Sequence, residues 1–135
     1  MTGVQTCALP ISGVIALAGG DLAGIIRHST EGRLVKYRAS KMEELALDPA
    51  AFEGQLRELL PSDPLELASA VDPRRVLMVT GRYDDVVPLR YQRRLWEELG
   101  RPTRYDLPSG HYSGILYLPY VTRVVSRWLR ARLAG

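Results

Sequence analysis

The sequence predicts an α/β fold with a doubly wound and mostly parallel sheet. Residues 14–18 and 76–80 form two short apolar runs that glycine terminates, a pattern typical of strands buried in a parallel sheet. Residues 103–107 form a weaker third candidate. Sequence patterns typical of helices lie between these runs. Where helices connect successive parallel strands, the crossover connections are right-handed. Residues 28–72 are longer than one crossover helix requires, so a helical excursion is predicted there.

The helices of the excursion are predicted from the residues at their starts. Ser40 and Glu43 form a capping-box pattern, in which the two side chains bond each other's free backbone amides. Asp48 and Asp63 each stand directly before a proline, which places an N-cap acid ahead of a first-turn proline. The excursion is therefore predicted to hold at least three helix starts.

Two further helices are predicted after the second strand. Pro88 opens one of them and Gly100 ends it. The other runs from about Val121 almost to the end of the chain, with Trp128 on its apolar face. Its opposite face carries arginines at helical spacing, a pattern typical of a solvated face: Arg123, Arg127 and Arg130.

Length and composition indicate one ordinary globular domain. The chain has 135 residues, of which 46% are hydrophobic and 24% are charged. Its net charge of +3 comes from 16 Arg and 2 Lys against 15 acids, and the acids interleave with the bases. Binding to nucleic acid requires a segregated basic surface, so no nucleic-acid partner is predicted. The single cysteine, Cys7, excludes a disulfide scaffold and a cysteine-based zinc site.

The first eleven residues are interpreted separately from the rest. Residues 1–11 resemble the conceptual translation of a sequencing-library adapter, so they are predicted not to belong to the native protein. A genuine N-terminal arm is the alternative. Residues 12–135 are then predicted to be the C-terminal portion of a single domain whose start lies upstream. Residues 1–22 have neither the basic start of a signal peptide nor the about 20 apolar residues of a membrane span, so no membrane partner is predicted.

Reactive side chains follow the second and third predicted strands. Asp84 and Asp85 come shortly after residues 76–80, and His111 follows residues 103–107. The carboxyl ends of parallel strands meet at one edge of the sheet, where open α/β sheets place their sites. A carboxylate bonded to one imidazole nitrogen fixes the tautomer and leaves the other nitrogen to act as a base. We therefore expect one of these acids to lie beside the histidine.

These residues resemble the C-terminal part of an α/β-hydrolase, and the dienelactone-hydrolase-like and prolyl-oligopeptidase-like branches are the most similar. The resemblance rests on Gly-x-x-Asp-x-x-Val-Pro at residues 81–88 and on Gly110 followed by His111 at the start of the last helix. It implies that Asp84 is the acid of a Ser-His-Asp triad and that His111 is its general base. Asp85 stands one place off the pattern and is interpreted as a turn or helix-entry acid. The resemblance also implies hydrolysis of a small-molecule carboxylic ester through an acyl-enzyme, with an amide or a lactone as the alternative substrate, and with no cofactor and no metal.

The sequence departs from that family at the nucleophile. No Gly-x-Ser-x-Gly occurs in it, and Ser12, Ser109 and Ser113 lack the strand-turn-helix context that this nucleophile needs. The serine and the oxyanion hole are therefore expected upstream, so that this chain is the acid–base half of a serine hydrolase. Residues 40–70 stand where the family often carries a cap, and a plain packing layer is the alternative.

Two other functions stay open. Asp84 and Asp85 together suggest an Mg²⁺-binding or phosphoacceptor module, which would need further acids and a lysine at neighbouring strand ends. A non-catalytic interaction domain with the same fold is the second alternative, because a fold does not determine a function. His28 is predicted to be a surface histidine. The sequence indicates neither the identity of a substrate, nor the oligomeric state, nor the compartment.

Overall fold

The computed structural model describes residues 12–133, so the interpretation of residues 1–11 as an adapter scar lies outside the described residues. Within this range the chain forms three strands, six α-helices and two short 3₁₀ helices. The 3₁₀ helices span Pro73–Arg75 and Ser113–Tyr117. In chain order, the strands and α-helices are β1 (Gly13–Ala16), α1 (Leu22–His28), α2 (Gly32–Glu44), α3 (Pro49–Leu59), α4 (Pro64–Ala68), β2 (Val76–Gly81), α5 (Leu89–Glu98), β3 (Thr103–Leu107) and α6 (Leu118–Leu133).

The strands form one parallel sheet in the order β1-β2-β3. Ile15 of β1 pairs with Met78 of β2, and Val79 of β2 pairs with Tyr105 of β3. The central strand β2 is buried along its whole length. The parallel sheet with helices around it confirms the predicted α/β character of the chain.

The two faces of β2 contribute to different cores because successive side chains of a strand point to opposite sides. Leu77 and Val79 pack against Trp128 of α6 on one face. Met78 packs against Leu95 of α5 on the other. Burial of each such side chain stabilises the fold by about 1.5–3 kcal/mol, so both helical layers are fixed to the central strand.

β1 lies at an edge of the sheet. The expectation of a strand buried on both faces is wrong, since Val14 is 38% exposed and Ala16 is also exposed. In the described part of the chain β1 pairs with β2 alone, whereas α6 packs on β2 and on Tyr105 of β3. The strand is also shorter than predicted, because Leu17 has a φ of 52°, a left-handed conformation that interrupts an extended strand.

Two of the three predicted N-caps in the excursion are confirmed. Asp48 caps α3 and Asp63 caps α4, and each accepts hydrogen bonds from the amides that follow it. The predicted capping box at Ser40 is wrong, because Ser40 lies inside α2, which begins at Gly32 and is capped by the side chain of Glu31. Interior amides of a helix are already bonded to its carbonyls, so they offer no free donor to a capping serine.

Helices α1, α2 and α3 share a small core of their own. Its buried members are Ala23, Phe52 and Leu56. Asp21 at the start of α1 also connects these helices to α5. Its carboxylate forms ion pairs with Arg57 of α3 and Arg94 of α5, each at 2.9 Å. The excursion is therefore packed on α1 and joined by charge to the sheet-covering helix α5. Its service as a cap over a substrate stays a prediction.

Asp63 joins the start of α4 to the start of α1. Its carboxylate accepts hydrogen bonds from the backbone amides of Asp21 at 2.9 Å, Leu22 at 2.6 Å and Leu65 at 2.9 Å. Burial alone would raise the pKa of this carboxyl. The three backbone donors and the nearby Arg57 outweigh that effect and hold the pKa of Asp63 below its ordinary value.

Candidate active site

The loop after β2 carries a fully buried carboxylate. The side chain of Asp84 is 0% exposed. Its Oδ1 accepts hydrogen bonds from the backbone amides of Val86 at 3.0 Å and Val87 at 2.8 Å. Its Oδ2 lies 3.2 Å from Nε2 of Gln92 and 2.9 Å from Nδ1 of His111. Each oxygen thus has two donors, which is what burial of a charged group requires.

His111 lies in the turn that follows β3, and its side chain is 30% exposed. Its Nδ1 faces the carboxylate of Asp84, and the ring of Tyr112 packs edge-on against it with centroids 5.5 Å apart. The other ring nitrogen, Nε2, makes no hydrogen bond to any residue between 12 and 133. A neutral imidazole held in this way carries its proton on Nδ1 and presents Nε2 as a base.

The acid and the base meet because the backbones of their two loops bond to each other. The amide of Arg82 donates to the carbonyl of Leu107 at 2.9 Å, and the amide of Tyr83 donates to the carbonyl of Ser109 at 3.0 Å. This approach favours a glycine at position 81, since a Cβ on Gly81 would lie 3.0 Å from the Ser109 carbonyl oxygen, which would then have to shift by a few tenths of an ångström. The structure therefore places the predicted acid and base in hydrogen-bond contact. Their role in catalysis stays a prediction.

Asp85 has a different position from its neighbour. Its side chain is exposed. Its carbonyl oxygen accepts hydrogen bonds from Oγ of Ser29 at 2.7 Å, from the amide of Thr30 at 3.0 Å and from the amide of Glu31 at 3.2 Å. Asp84 therefore contacts the imidazole, while the backbone of Asp85 ties the same loop to the turn between α1 and α2.

Sequence reasoning missed Gln92, which is fully buried on α5 beside the acid loop. Its Oε1 accepts the amide N–H of Gly81 at 3.0 Å, and its Nε2 donates to the carbonyl of Val87 at 2.7 Å. A signal was present in the sequence. Gln92 stands at helical spacing from Leu95 and Leu99, so a polar side chain occupies the apolar face of α5. A buried polar group of this kind is nearly always hydrogen-bonded to something specific.

The other candidate residues are not bonded to the acid–base pair. Ser113 accepts a backbone hydrogen bond within its own turn at 2.9 Å. Ser109 is buried, and its hydroxyl has no hydrogen-bond partner in the described range. Ser12 directly precedes β1. His28 lies on the surface at the end of α1, with Nδ1 at 2.8 Å from the hydroxyl of Tyr91.

Between residues 12 and 133, no three His, Cys, Asp or Glu side chains lie close enough together to hold a metal ion. None of the helices in the described part of the chain is long and apolar enough to cross a membrane.

Comparison with known proteins identifies a relative in Bacillus subtilis (strain 168), "Uncharacterized protein YdjC". The two chains are 32% identical over 74 residues, which make up 55% of this chain and 63% of the relative. The match thus spans less than two thirds of the relative's length, and the relative's name gives no activity. No protein-family model and no solved structure matches the chain.

Proposed function

We propose that this chain carries the acid and the base of a serine hydrolase that acts on carboxylic esters through an acyl-enzyme. The observation that carries the proposal is the hydrogen bond of 2.9 Å between Nδ1 of His111 and the buried Oδ2 of Asp84. Both residues follow neighbouring parallel strands at the carboxyl edge of the sheet, where α/β enzymes place their sites.

The proposed chemistry needs one nucleophile from upstream of residue 12. The Nε2 atom of His111 takes the proton of a serine hydroxyl as the serine attacks the ester carbonyl. The same nitrogen then gives that proton to the departing alkoxide, and a second cycle with water releases the acid and regenerates the serine. Asp84 holds the imidazole in the required tautomer and stabilises its charged form during each transfer. The oxyanion hole belongs to the upstream part of the proposed enzyme.

The order of the elements supports an α/β-hydrolase sheet as the finer description of the fold. The acid follows β2, the base follows β3, and the excursion precedes both. The three bonds to the carbonyl of Asp85 also tie the turn between α1 and α2 to the acid loop. These bonds involve residues 29–31, so for residues 40–70 both a cap and a plain packing layer stay open.

The bonding of Asp84 makes the magnesium or phosphoacceptor alternative less favourable. A hard cation needs free carboxylate oxygens. Both oxygens of Asp84 are already bonded by backbone, amide or imidazole donors, while the carboxylate of Asp85 is exposed. A metal shared between the two acids would therefore have to break the bonds that hold the loop. The non-catalytic domain remains as an outcome of the test below.

The test uses a version of the protein extended upstream at the same locus. We expect a fluorophosphonate probe to label one serine in the added segment and the extended protein to hydrolyse p-nitrophenyl acetate. His111→Ala should abolish turnover, and His28→Ala, at the surface histidine, should retain it. A folded extended protein with no labelled serine would favour the non-catalytic domain. Turnover that requires Mg²⁺ would favour the metal-dependent alternative.

A further inference from the structure

The carboxyl end of β2 loses its strand partner on the side of β1. The amide of Leu17 donates to the carbonyl of Val79 at 2.8 Å, and β1 then leaves the sheet because Leu17 has a φ of 52°. The peptide groups of residues i and i+2 on a strand face the same neighbour, so the N–H and C=O of Gly81 face the side that β1 has left. Buried backbone groups of this kind need another partner.

The side-chain amide of Gln92 supplies that partner. Its Oε1 accepts the N–H of Gly81 at 3.0 Å, and its Nε2 lies 3.4 Å from the carbonyl oxygen of Gly81. The glutamine amide therefore pairs with Gly81 much as a strand peptide would. Gln92 is 0% exposed, so water does not compete for these bonds.

The same amide reaches the far end of the acid loop and the acid itself. Its Nε2 donates to the carbonyl of Val87 at 2.7 Å and lies 3.2 Å from Oδ2 of Asp84. Two N–H groups thus serve three acceptors, and the shortest contact is to Val87. One side chain therefore connects the start of the loop at Gly81, its end at Val87 and the carboxylate between them.

We infer that Gln92 is a positioning residue for the acid–base pair, an inference that rests on the proposed function. The backbone amides of Val86 and Val87 fix Oδ1 of Asp84, and the Gln92 amide fixes the direction of Oδ2 toward Nδ1 of His111. Functional groups need to be held within about 0.5 Å of their working geometry by their supporting residues. Loss of the amide removes the bonds to Gly81, to Val87 and to Oδ2 of Asp84 together, while Oδ1 keeps its two backbone donors.

Two substitutions separate shape from hydrogen bonding. Gln92→Met keeps the length of the side chain and removes every hydrogen bond. Gln92→Glu keeps an acceptor for Gly81 but removes the donors, and it puts a second carboxylate beside Oδ2 of Asp84. Gln55→Met makes the same change at an exposed position on α3 and serves as the matched control.

The histidine tautomer reports on the position of the acid and does not depend on turnover. The chain has two histidines, so ¹⁵N spectra of the imidazole rings resolve His111 with His28 as an internal reference. We expect neutral His111 to carry its proton on Nδ1 in the unmodified chain and after Gln55→Met. Both Gln92 substitutions should shift the tautomer equilibrium of His111 toward that of free imidazole, while the signals of His28 stay unchanged.

Each outcome has one meaning. An unchanged His111 tautomer in either folded Gln92 variant refutes the positioning role and leaves the proposed function intact. Asp84→Asn in the same experiment tests the pair itself, because an unchanged tautomer there overturns the proposed function. If both Gln92 variants unfold, hydrogen exchange in the unmodified chain decides: the Gln92 side-chain amide should exchange far more slowly than that of Gln55, and equal rates refute the inference.

Discussion

Replacement of Asp84 by asparagine tests the proposed mechanism most directly, because the structure determines which way the new amide must face. Oδ1 accepts two backbone N–H groups, so the carbonyl oxygen of the asparagine has to occupy that position. Its NH₂ group then takes the place of Oδ2. There it faces the N–H donors of Gln92 and His111, which are 3.2 Å and 2.9 Å from Oδ2 in the unmodified chain.

The imidazole relieves this conflict by a change of tautomer. If Nδ1 of His111 accepts a hydrogen bond from the new NH₂ group, the neutral ring carries its proton on Nε2 and can no longer take one from serine. In Ser-His-Asp enzymes the wrong tautomer lowers kcat by about 10⁴-fold, which corresponds to about 5.5 kcal/mol of transition-state stabilisation. We expect a loss of this size for Asp84→Asn in the upstream-extended protein.

Asp85→Asn is the matched control, since the same chemical change is made one residue away. The side chain of Asp85 is exposed and its structural bonds come from the backbone carbonyl, so we expect a change of stability within about 0.5 kcal/mol and nearly unchanged turnover. The assay is the kcat for p-nitrophenyl acetate. His111→Ala should lose at least as much as Asp84→Asn, and the double variant should be no worse than His111→Ala alone. If Asp85→Asn rather than Asp84→Asn lowers kcat, the family match is wrong by one residue. If neither substitution lowers kcat, the hydrolase proposal is refuted.

Three further predictions concern the 135-residue chain itself. The proposed function places the serine and the oxyanion hole upstream of residue 12, so the 135-residue chain should not hydrolyse p-nitrophenyl acetate, and turnover blocked by serine-directed inhibitors would contradict this. Val14→Lys on the edge strand should raise the soluble fraction, while Val35→Lys, at an equally exposed helical position, should not; equal effects would contradict edge-to-edge association. The lowered pKa of Asp63 stabilises the fold above the unfolded-state value of about 3.9, and this stabilisation is lost as the pH falls through the folded-state pKa. The difference in unfolding free energy between the unmodified chain and Asp63→Asn should therefore shrink below about pH 4 in urea titrations, and a constant difference would contradict it.

Local signals explain why much of the fold was predictable. The apolar run at 76–80 became the buried central strand, and the acids at positions 48 and 63 became N-caps. In each case the decisive interaction joins residues that are neighbours in the chain, or it depends on the composition of one short run. Such signals need no knowledge of the neighbouring elements.

Errors occurred where a distant or competing element decides the structure. The run at 14–18 has the composition of a buried strand, yet Val14 is exposed because burial depends on which strands and helices lie beside it. Ser40 has the right partner for a capping box, yet α2 starts earlier because Glu31 caps an upstream turn. A capping pattern can be recognised in the sequence, but the sequence does not show which of two possible N-termini the helix will use.

The candidate site also combines a feature that the sequence predicts with one that depends on a distant element. The residue types and their places after two adjacent strands predicted that an acid and a histidine would meet, since parallel topology alone brings those loops to one edge. The supporting role of Gln92 depends on the early departure of β1 at Leu17, which leaves Gly81 without a strand partner. No local pattern predicts that departure. A glutamine on an apolar helix face does indicate that its side chain is buried and hydrogen-bonded to a specific partner.

The direct contacts of the proposed acid–base pair come from the loop after β2, from α5 and from the loop after β3. Asp84 is bonded by two amides of its own loop and by Gln92, and the turn of His111 is joined to that loop through the carbonyl of Ser109. None of these partners lies on β1 or before it, so the direct contacts of the pair are all present in the 135-residue chain. The tautomer of His111 in the 135-residue chain therefore tests the pair alone, whereas ester hydrolysis tests the pair together with the serine. A chain that keeps the Nδ1–H tautomer but whose extended form has no reactive serine would retain the acid–base geometry and refute the hydrolase proposal.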